Sequence, residues 1–368
     1  MKEGRADGAS RGKRERGYEK ERIQQMEAGN KPPVLVALAA NEAYVPVLYT
    51  CVQSAVRHTS AARTYQFWIF HTNISRNSQK QFVRGFACGN IQIRFFNVAE
   101  RIAGYQLKAK QHITEETFYR FLILDLCREY PKVVYLDCDT IVCRDLAGLY
   151  DVSVEDVLAA AVRDADFAGQ CSRKGSDMRR YSREVLGLHD PFGYFQAGVL
   201  VLNVDRLRKV ISVTQLLKLA ETGVYRFSDQ DILNKVCRGN VRYLDMAWNV
   251  LHDCGHSRWA QVIRYAPEPI AKEYASARKA PYIIHYAGYP KPWIRPDEDF
   301  AYEFWQEARQ TVFYRQLLDE MCRRQRKGIW KAGRKAWFNG IKIIAKKLLP
   351  QGSRLRNGAI RLYLRIVA

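Results

Sequence analysis

Runs of consecutive apolar residues alternate along the chain with segments whose apolar positions recur at helical spacing. Three such runs, VLVALA at 34–39, YQFWIF at 65–70 and IQIRFF at 91–96, have the length and composition of buried strands. Between the first two, the apolar residues from Val47 to Ala55 follow the period of an amphipathic helix. Strands that alternate with helices are typical of an α/β fold, so we expect a Rossmann-like, largely parallel sheet flanked by helices.

The same alternation continues through the middle of the chain. It predicts a helix over 116–127 and strands over 133–136, 158–162 and 199–204. No internal repeat is visible, so we expect one large domain with appended segments.

Two acidic residues directly follow one of the predicted strands. In the segment VVYLDCDTIV, Asp137 and Asp139 come after strand 133–136 with one residue between them. Parallel sheets bind their ligands at the carboxyl ends of the strands. Neighbouring carboxylates repel each other unless a cation lies between them, which favours a divalent metal site. The alternative is that both residues cap the following turn.

Three further segments follow the two acidic residues in a recognisable order. They are YFQAGVLVLNVDRLR from Tyr194, SDQDILN at 228–234 and HYAGYPKPW at 285–293. Together with the D-x-D segment they resemble glycosyltransferase family 8, which contains bacterial lipopolysaccharide glucosyl- and galactosyltransferases and, more distantly, glycogenin. The resemblance extends from about Val34 to Trp293 and implies a GT-A type fold.

The resemblance also implies an activity. Enzymes of this kind transfer a hexose with retention of configuration, and they depend on a metal ion. We therefore expect glucose or galactose to be moved from a UDP-sugar to a glycan or glycolipid acceptor, such as the core of lipopolysaccharide. The route remains open between double displacement and front-face substitution.

Departure of a nucleoside diphosphate requires positive charge near its phosphates. Asp137, Asp139 and the imidazole of His285 would give oxygen and nitrogen ligands to Mn²⁺ or Mg²⁺. Gly288 would allow close approach of the backbone, and Lys291 would supply a charge for a phosphate. The alternative for His285 is a structural histidine after a buried strand.

The segment at 228–234 carries the residues to which the resemblance gives a catalytic role. Gln230 would lie beside the anomeric carbon, and Asp229 or Asp231 would contact sugar hydroxyls. From the residues alone, the same segment predicts a helix N-terminus with Ser228 as its cap and acidic residues in the first turn. Both interpretations are compatible.

Further residues are assigned to the nucleotide-sugar by the resemblance. Tyr44 matches an aromatic residue that stacks on uracil, and Asn41 stands where an Asp is common. Gln196 replaces the usual Asn before Ala197 and adds one methylene where the sugar hydroxyls bind. We therefore expect base and hexose recognition to differ in detail from the family pattern.

Two charged residues have an ordinary structural alternative. Arg120 matches a residue that contacts phosphate or ribose, and the alternative is a solvated arginine on a helix. Asp164 follows a predicted strand where relatives have a carboxylate that contacts the acceptor or the sugar, and the alternative is a loop cap.

The net charge of +21 is concentrated at the C-terminal end of the 368 residues. Residues 321–368 contain fourteen Lys or Arg and no Asp or Glu. At helical spacing, Trp330 and Trp337 fall on an apolar face, and Lys331 and Lys342 fall opposite. This pattern is typical of a helix on an anionic membrane surface. We therefore expect a peripheral protein on the inner face of the cytoplasmic membrane.

The alternative for this tail is that its apolar face docks on the catalytic domain. Nucleic acid is not an expected partner, because the chain has no recognition motif for it. The expected division is a flexible charged leader at 1–31, a GT-A catalytic domain at 32–300, a helical extension at 301–320 and the basic amphipathic tail at 321–368.

The nine cysteines predict neither a disulfide framework nor a zinc ribbon, because they are scattered and include no C-x-x-C pair. They indicate a reducing, cytoplasmic location. We also find no apolar run long enough to span a bilayer and no signal peptide. The cluster of His252, Asp253, Cys254 and His256 has no distant partner, so we do not expect it to bind zinc.

Two other function classes are compatible with parts of the sequence. The segment LDCDTIV resembles the D-x-D-x-T motif of phosphoaspartyl phosphatases, but that motif normally opens its domain, and here a long structured region precedes it. A catalytically inactive sugar-binding protein is the second alternative. The intact Asp137, Asp139, Gln230 and His285 argue against it.

Overall fold

A computed structural model describes residues 31–86, 89–107 and 114–325 of the chain. The predicted leader, apart from Lys31, and residues 326–368 of the predicted tail lie outside the described residues. The described strands, numbered in chain order, are β1 (Val34–Ala39), β2 (Tyr65–His71), β3 (Ile91–Asn97), β4 (Lys132–Leu136), β5 (Thr140–Val142), β6 (Ala159–Arg163), β7 (Phe195–Asn203), β8 (Val241–Tyr243), β9 (Val250–Leu251) and β10 (Ile283–His285).

Helices flank these strands in the described parts of the chain. The α-helices are α1 (Val45–Val56), α2 (Arg76–Gly85), α3 (Ala99–Ile102), α4 (Ile123–Leu126), α5 (Leu146–Tyr150), α6 (Ala165–Ser172), α7 (Met178–Glu184), α8 (Val204–Val210), α9 (Val213–Glu221), α10 (Ser228–Cys237), α11 (Arg258–Gln261), α12 (Glu268–Ala277) and α13 (Ala301–Ala308). Short 3₁₀-helices occur at Glu42–Tyr44, Glu115–Leu122, Pro191–Gly193, Met246–Asn249, Cys254–His256 and Ile263–Tyr265.

Seven strands form the central sheet in the order β3-β2-β1-β4-β7-β6-β8. Strands β3, β2, β1 and β4 pair with one another in parallel, whereas β7 is antiparallel to both β4 and β6. All six residues of β1 are buried, because this central strand is covered by helices on both sides of the sheet. The predicted mixed α/β fold is confirmed.

Two element boundaries differ from the sequence pattern. The helix expected over 116–127 is mostly the 3₁₀-helix Glu115–Leu122, followed by the single turn α4. The strand expected to begin at 199 begins at Phe195, because the Asn234 side chain pairs with both backbone groups of Phe195 and holds it in line with the strand. Apolar periodicity alone does not show either effect.

A second, three-stranded sheet places the HYAG segment at 285–288 against the D-x-D segment. Its order is β5-β10-β9, with β10 antiparallel to β5 and parallel to β9. In this register His285 lies opposite Thr140, and the Tyr286 N–H donates to the Asp139 carbonyl at 2.9 Å. The Asp137 N–H donates to the Gly198 carbonyl at 2.8 Å. Backbone hydrogen bonds therefore bring three distant segments together at the carboxyl end of β4.

The end of the described chain packs on the central α/β fold. Phe304 of α13 joins Trp293, Tyr286 and Val47 in a small apolar cluster, and Glu307 accepts a hydrogen bond from Arg57 at 2.6 Å. Residues 314–325 are also helical. Within the described ranges, no helix combines the length and apolar character needed to cross a membrane.

Candidate active site

A cleft of about 460 Å³ opens where β4 and β7 meet the small sheet. Thirteen of the fourteen site residues expected from the sequence line this cleft, and Asp231 does not. They are Asn41, Tyr44, Arg120, Asp137, Asp139, Asp164, Gln196, Ala197, Asp229, Gln230, His285, Gly288 and Lys291.

Asp137, Asp139 and His285 offer one ligand atom each within 4.8 Å of one another. His285 Nε2 lies 3.3 Å from Asp139 Oδ1 and 3.7 Å from Asp137 Oδ2. Two carboxylate oxygens and an imidazole nitrogen suit Mn²⁺ or Mg²⁺, and these three residues could hold such an ion. Among the described residues, no other group of His, Cys, Asp or Glu converges in this way.

Gly198 leaves the space in which the three ligands meet. A Cβ at this position would lie 2.2 Å from His285 Cε1 and 2.8 Å from Asp137 Oδ2. Real side chains do not approach that closely, so any larger residue would displace a ligand. The glycine of the FQAG segment therefore fits a site that must remain open for an ion.

Lys291 supplies the nearest positive charge to Asp139. Its ammonium group lies 2.5 Å from Asp139 Oδ2 and also donates to the Tyr286 carbonyl. Burial alone would raise the pKa of Asp139, but Lys291 and His285 hold it well below its usual value. Asp139 is therefore ionised, as a metal ligand must be.

Arg120 is buried beneath the site, with 4% of its surface exposed. Its guanidinium pairs with Asp137 Oδ1 at 2.8 Å and with Asp229 Oδ2 at 3.0 Å, and it donates to the Ala197 carbonyl at 2.6 Å. The ring of Tyr135 lies 4.3 Å below it. The alternative of a solvated arginine is therefore wrong.

Gln230 is held by both ends of its amide. Its Oε1 accepts from the Ala197 N–H at 2.9 Å, and its Nε2 donates to Asp164 Oδ2 at 3.0 Å. Asp164 also caps α6 by accepting from the Phe167 N–H. Burial and the nearby Asp166 raise the pKa of Asp164 to about 6. The loop-cap alternative for Asp164 is compatible with its position in the cleft.

The two acidic residues beside Gln230 have different surroundings. Asp229 faces Arg120 and accepts from the Thr117 hydroxyl, and burial raises its pKa to about 6 despite the arginine. Asp231 points away from the cleft and accepts from the hydroxyls of Tyr181 at 2.5 Å and Tyr194 at 2.7 Å. A contact between Asp231 and the substrate, as expected from the sequence, does not agree with this orientation.

Ser228 does not cap α10. The helix begins at Ser228 itself, whose φ of 49° is in the left-handed region, and its hydroxyl has no partner among the described residues. The Phe227 N–H instead donates to Asp231 Oδ2 at 2.8 Å. The expectation that Ser228 caps this helix is wrong, because the carboxylate of Asp231 binds the backbone at its start.

A family model decides the identity of this domain. The model of glycosyl transferase family 8 matches residues 35–296. The chain belongs to glycosyl transferase family 8. It is therefore a transferase, and the resemblance carried by the four motifs is confirmed. Membership of this family also leaves no support for the phosphoaspartyl phosphatase alternative.

This family 8 chain is similar to other glycosyltransferases. The lipopolysaccharide 1,2-glucosyltransferase of Escherichia coli (strain K12) is 23% identical over 184 residues, which cover 48% of this chain and 47% of that enzyme. The apo structure of the bifunctional glycosyltransferase WbbM is 28% identical with a TM-score of 0.71, covering 78% of this chain and 51% of that one. This chain spans about half the length of both.

The galactosyltransferase LgtC, solved with donor and acceptor sugar analogues, has a similar fold. It is 24% identical with a TM-score of 0.61, and the match covers 75% of this chain and 96% of that one. The GT-A type fold implied by the sequence motifs is thereby confirmed.

The family 8 cleft continues towards the base-binding residues expected from the sequence. Asn41 caps the 3₁₀-helix Glu42–Tyr44 and donates to Glu116 Oε1 at 3.0 Å. Tyr44 packs edge-on against Trp293 at 6.2 Å between ring centroids. Both residues are thus fixed by neighbours while they line the cleft.

The sequence analysis did not identify Arg258, which lines the cleft beside Gly288. Its guanidinium donates to the carbonyls of Ala287 at 2.7 Å and His252 at 2.8 Å, and it pairs with Asp166 at 3.0 Å. A Cβ on Gly288, whose φ is +95°, would lie 2.7 Å from this guanidinium. The sequence gives no signal for Arg258, because a basic residue on a short helix is usually solvated.

The cluster of His252, Asp253, Cys254 and His256 does not converge. His252 Nε2 bonds to the Pro290 carbonyl at 3.1 Å, and His256 Nε2 bonds to the Asp297 carbonyl at 2.7 Å. Burial and the nearby Arg258 lower the pKa of His252 to about 3, so it is neutral. The two histidines of this cluster therefore bind backbone carbonyls of neighbouring loops.

Asp231→Ala tests whether that carboxylate is a structural group. The change leaves two tyrosine hydroxyls and the Phe227 N–H without their acceptor, so we expect the free energy of unfolding to fall by about 3 kcal/mol. The measurement is chemical denaturation of the single variant and of Asp231→Ala combined with Tyr181→Phe and Tyr194→Phe. In the phenylalanine background the cost should be clearly smaller. An equal cost in both backgrounds would contradict the assignment.

Proposed function

We propose that this family 8 transferase is a metal-dependent, retaining enzyme that moves glucose or galactose from a UDP-sugar to a glycan or glycolipid, such as the core of lipopolysaccharide. The observation that carries the proposal is the convergence of Asp137, Asp139 and His285 beside Lys291 and Gln230 in one cleft. Two similar proteins, a lipopolysaccharide glucosyltransferase and a galactosyltransferase, support the hexose and the acceptor class.

The leaving diphosphate would lie at the end of the cleft that holds Lys291 and Gly288. A bound Mn²⁺ or Mg²⁺ would neutralise the charge that develops on the diphosphate. Lys291 contributes a second positive charge, and Gly288, whose missing Cβ leaves room for the Arg258 guanidinium, lines the same part of the cleft. Arg120 fixes Asp137 from below and does not need to touch the substrate itself.

The sugar would lie between the metal site and Gln230. Transfer breaks the bond between the anomeric carbon and a phosphate oxygen, forms a bond to an acceptor hydroxyl and releases the hydroxyl proton. Gln230, fixed by Ala197 and Asp164, presents a neutral amide to the positive charge that develops on the anomeric carbon. We assign Tyr44 and Asn41 to the base, Gln196 and Ala197 to the hexose, and Asp164 to the acceptor side.

The tail completes the proposal. Its fourteen basic residues and apolar face support attachment to an anionic membrane, on the cytoplasmic side. Residues 326–368 lie outside the described structure, so the support is the sequence alone. An inactive sugar-binding protein is less well supported, because the cleft retains each group that the transfer needs.

Asp139→Asn tests the requirement for a divalent cation. The change removes one negative ligand, and we expect turnover of UDP-glucose or UDP-galactose to fall by about a thousandfold, since charge stabilisation by a metal contributes several kcal/mol. Asp156→Asn, which alters an exposed ion pair with Arg242, is the matched control and should keep full activity. Wild-type turnover that is unaffected by EDTA would rule out the metal.

Gln230→Ala tests the group beside the anomeric carbon. We expect kcat to fall by about a hundredfold and the donor KM to change little, because the amide acts mainly in the transition state. Gln310→Ala, on the exposed surface after α13, is the matched control. A change confined to KM would make Gln230 a ground-state binding residue. Inverted anomeric configuration in the product, read by NMR, would contradict retention.

Vesicle co-sedimentation of the full chain tests the membrane proposal. We expect binding to anionic vesicles and not to neutral ones, and weaker binding at high salt because surface attraction is screened beyond about 10 Å at 0.1 M salt. Replacing Lys331, Lys335, Lys342 and Lys346 with Gln should reduce the affinity strongly, since each basic residue contributes about 1 kcal/mol. If neither the wild type nor the Gln variant binds anionic vesicles, docking of the tail on the domain is favoured.

A further inference from the structure

Three polar side chains form a chain of hydrogen bonds behind the candidate metal site. Gln196 lies at the start of β7, Asn249 ends the 3₁₀-helix Met246–Asn249, and His285 ends β10. Asn249 and His285 are buried, with 3% and 2% of their surfaces exposed. Polar groups buried in this way need defined partners, so the direction of each hydrogen bond can be worked out in turn.

The direction of these hydrogen bonds is fixed by the backbone N–H of Gly198. The Gly198 N–H, which can only donate, points at the Gln196 amide at 2.5 Å. The amide atom there must therefore be the oxygen, Oε1. The same oxygen lies 2.8 Å from the Asn249 amide, which must then present its NH₂ group.

The orientation of Asn249 in turn decides the proton on the histidine. With its NH₂ group towards Gln196, Asn249 turns Oδ1 towards His285 Nδ1 at 2.9 Å. A carbonyl oxygen can only accept, so Nδ1 carries a proton. The proton on Nδ1 leaves Nε2 to offer its lone pair to a cation, and Nε2 is the atom that faces Asp137 and Asp139.

We propose that Asn249 and Gln196 are positioning residues for the metal site, which fix His285 with its proton on Nδ1 and with Nε2 aimed between the two carboxylates. The inference rests on the proposed function of Asp137, Asp139 and His285 as metal ligands. It also assigns Gln196, which replaces the usual Asn of the family pattern, a role in orienting Asn249. The extra methylene carries its oxygen to Asn249 and to the Gly198 N–H, in addition to any contact with the sugar.

The first measurement is the affinity of the donor-free, full-length protein for Mn²⁺, read by the EPR signal of free Mn²⁺. Asn249→Ala removes the acceptor of the His285 proton, and we expect the affinity to fall about 10- to 100-fold, as for other partners of metal-binding histidines. Asn249→Asp keeps an oxygen facing Nδ1 but loses the NH₂ donor to Gln196, so we expect a Mn²⁺ affinity between those of Asn249→Ala and wild type. Gln196→Leu frees the Asn249 amide to turn and should weaken binding by a smaller factor than Asn249→Ala.

Asn234→Ala is the matched control for loss of a buried asparagine. Asn234 makes two hydrogen bonds with the backbone of Phe195 and one with the Gln230 carbonyl, and none with the three ligands. We expect it to lower the melting temperature and to leave Mn²⁺ affinity within about threefold of wild type. A loss of affinity equal to that of Asn249→Ala would overturn the inference, because general loosening would then explain both.

The second measurement needs no variant of Asn249. In the wild-type protein saturated with diamagnetic Cd²⁺, nitrogen-15 NMR should find the His285 proton on Nδ1 and the metal on Nε2. The reverse assignment would overturn the inference even if Asn249→Ala fails to fold. Failure of the proposed function is distinguishable, because Asp139→Asn would then bind Mn²⁺ as well as wild type does. If Asp139→Asn loses Mn²⁺ binding but Asn249→Ala keeps it, the metal site is supported and the positioning role of Asn249 is contradicted.

Discussion

The active-site cleft depends on the ion pairs that the buried guanidinium of Arg120 makes with two carboxylates. This guanidinium lies between Asp137 and Asp229 and pairs with both, at 2.8 and 3.0 Å, and the Asp229 side chain is only 5% exposed. Removing one partner from such a buried network costs about 3–5 kcal/mol, since it leaves a charge uncompensated. Arg120 also donates to the Ala197 carbonyl, so the metal end and the Gln230 end of the cleft share one anchor.

Local patterns were sufficient for the fold and for part of the site. Apolar runs predicted the strands, because a strand buried on both faces has to be apolar throughout, and β1 is such a strand. Asp137 and Asp139 could be found because they stand where a strand ends. His285 required the motif around it, since a single histidine after a strand is ordinarily structural.

The remaining features depend on contacts between distant segments, which no local pattern records. Whether Arg120 points to solvent or to Asp229 is decided by how the 3₁₀-helix Glu115–Leu122 meets α10. Asp231 follows Gln230 directly, yet the helix turns it towards two tyrosines. Asn249 is the single polar residue of the apolar segment MAWNVL, and its sequence context does not indicate that it contacts His285.

The pairing of β10 with β5 also has a consequence for how the protein is made. The two carboxylates leave the ribosome well before His285, and the histidine reaches them only when β10 joins an edge that already contains β5. Contacts so far apart along the chain form late, because the intervening loop must close first. A nascent chain therefore carries a pair of like charges without their third partner until His285 has been synthesised. Capture of a cation with all three ligands would mark the moment at which the C-terminal part has docked.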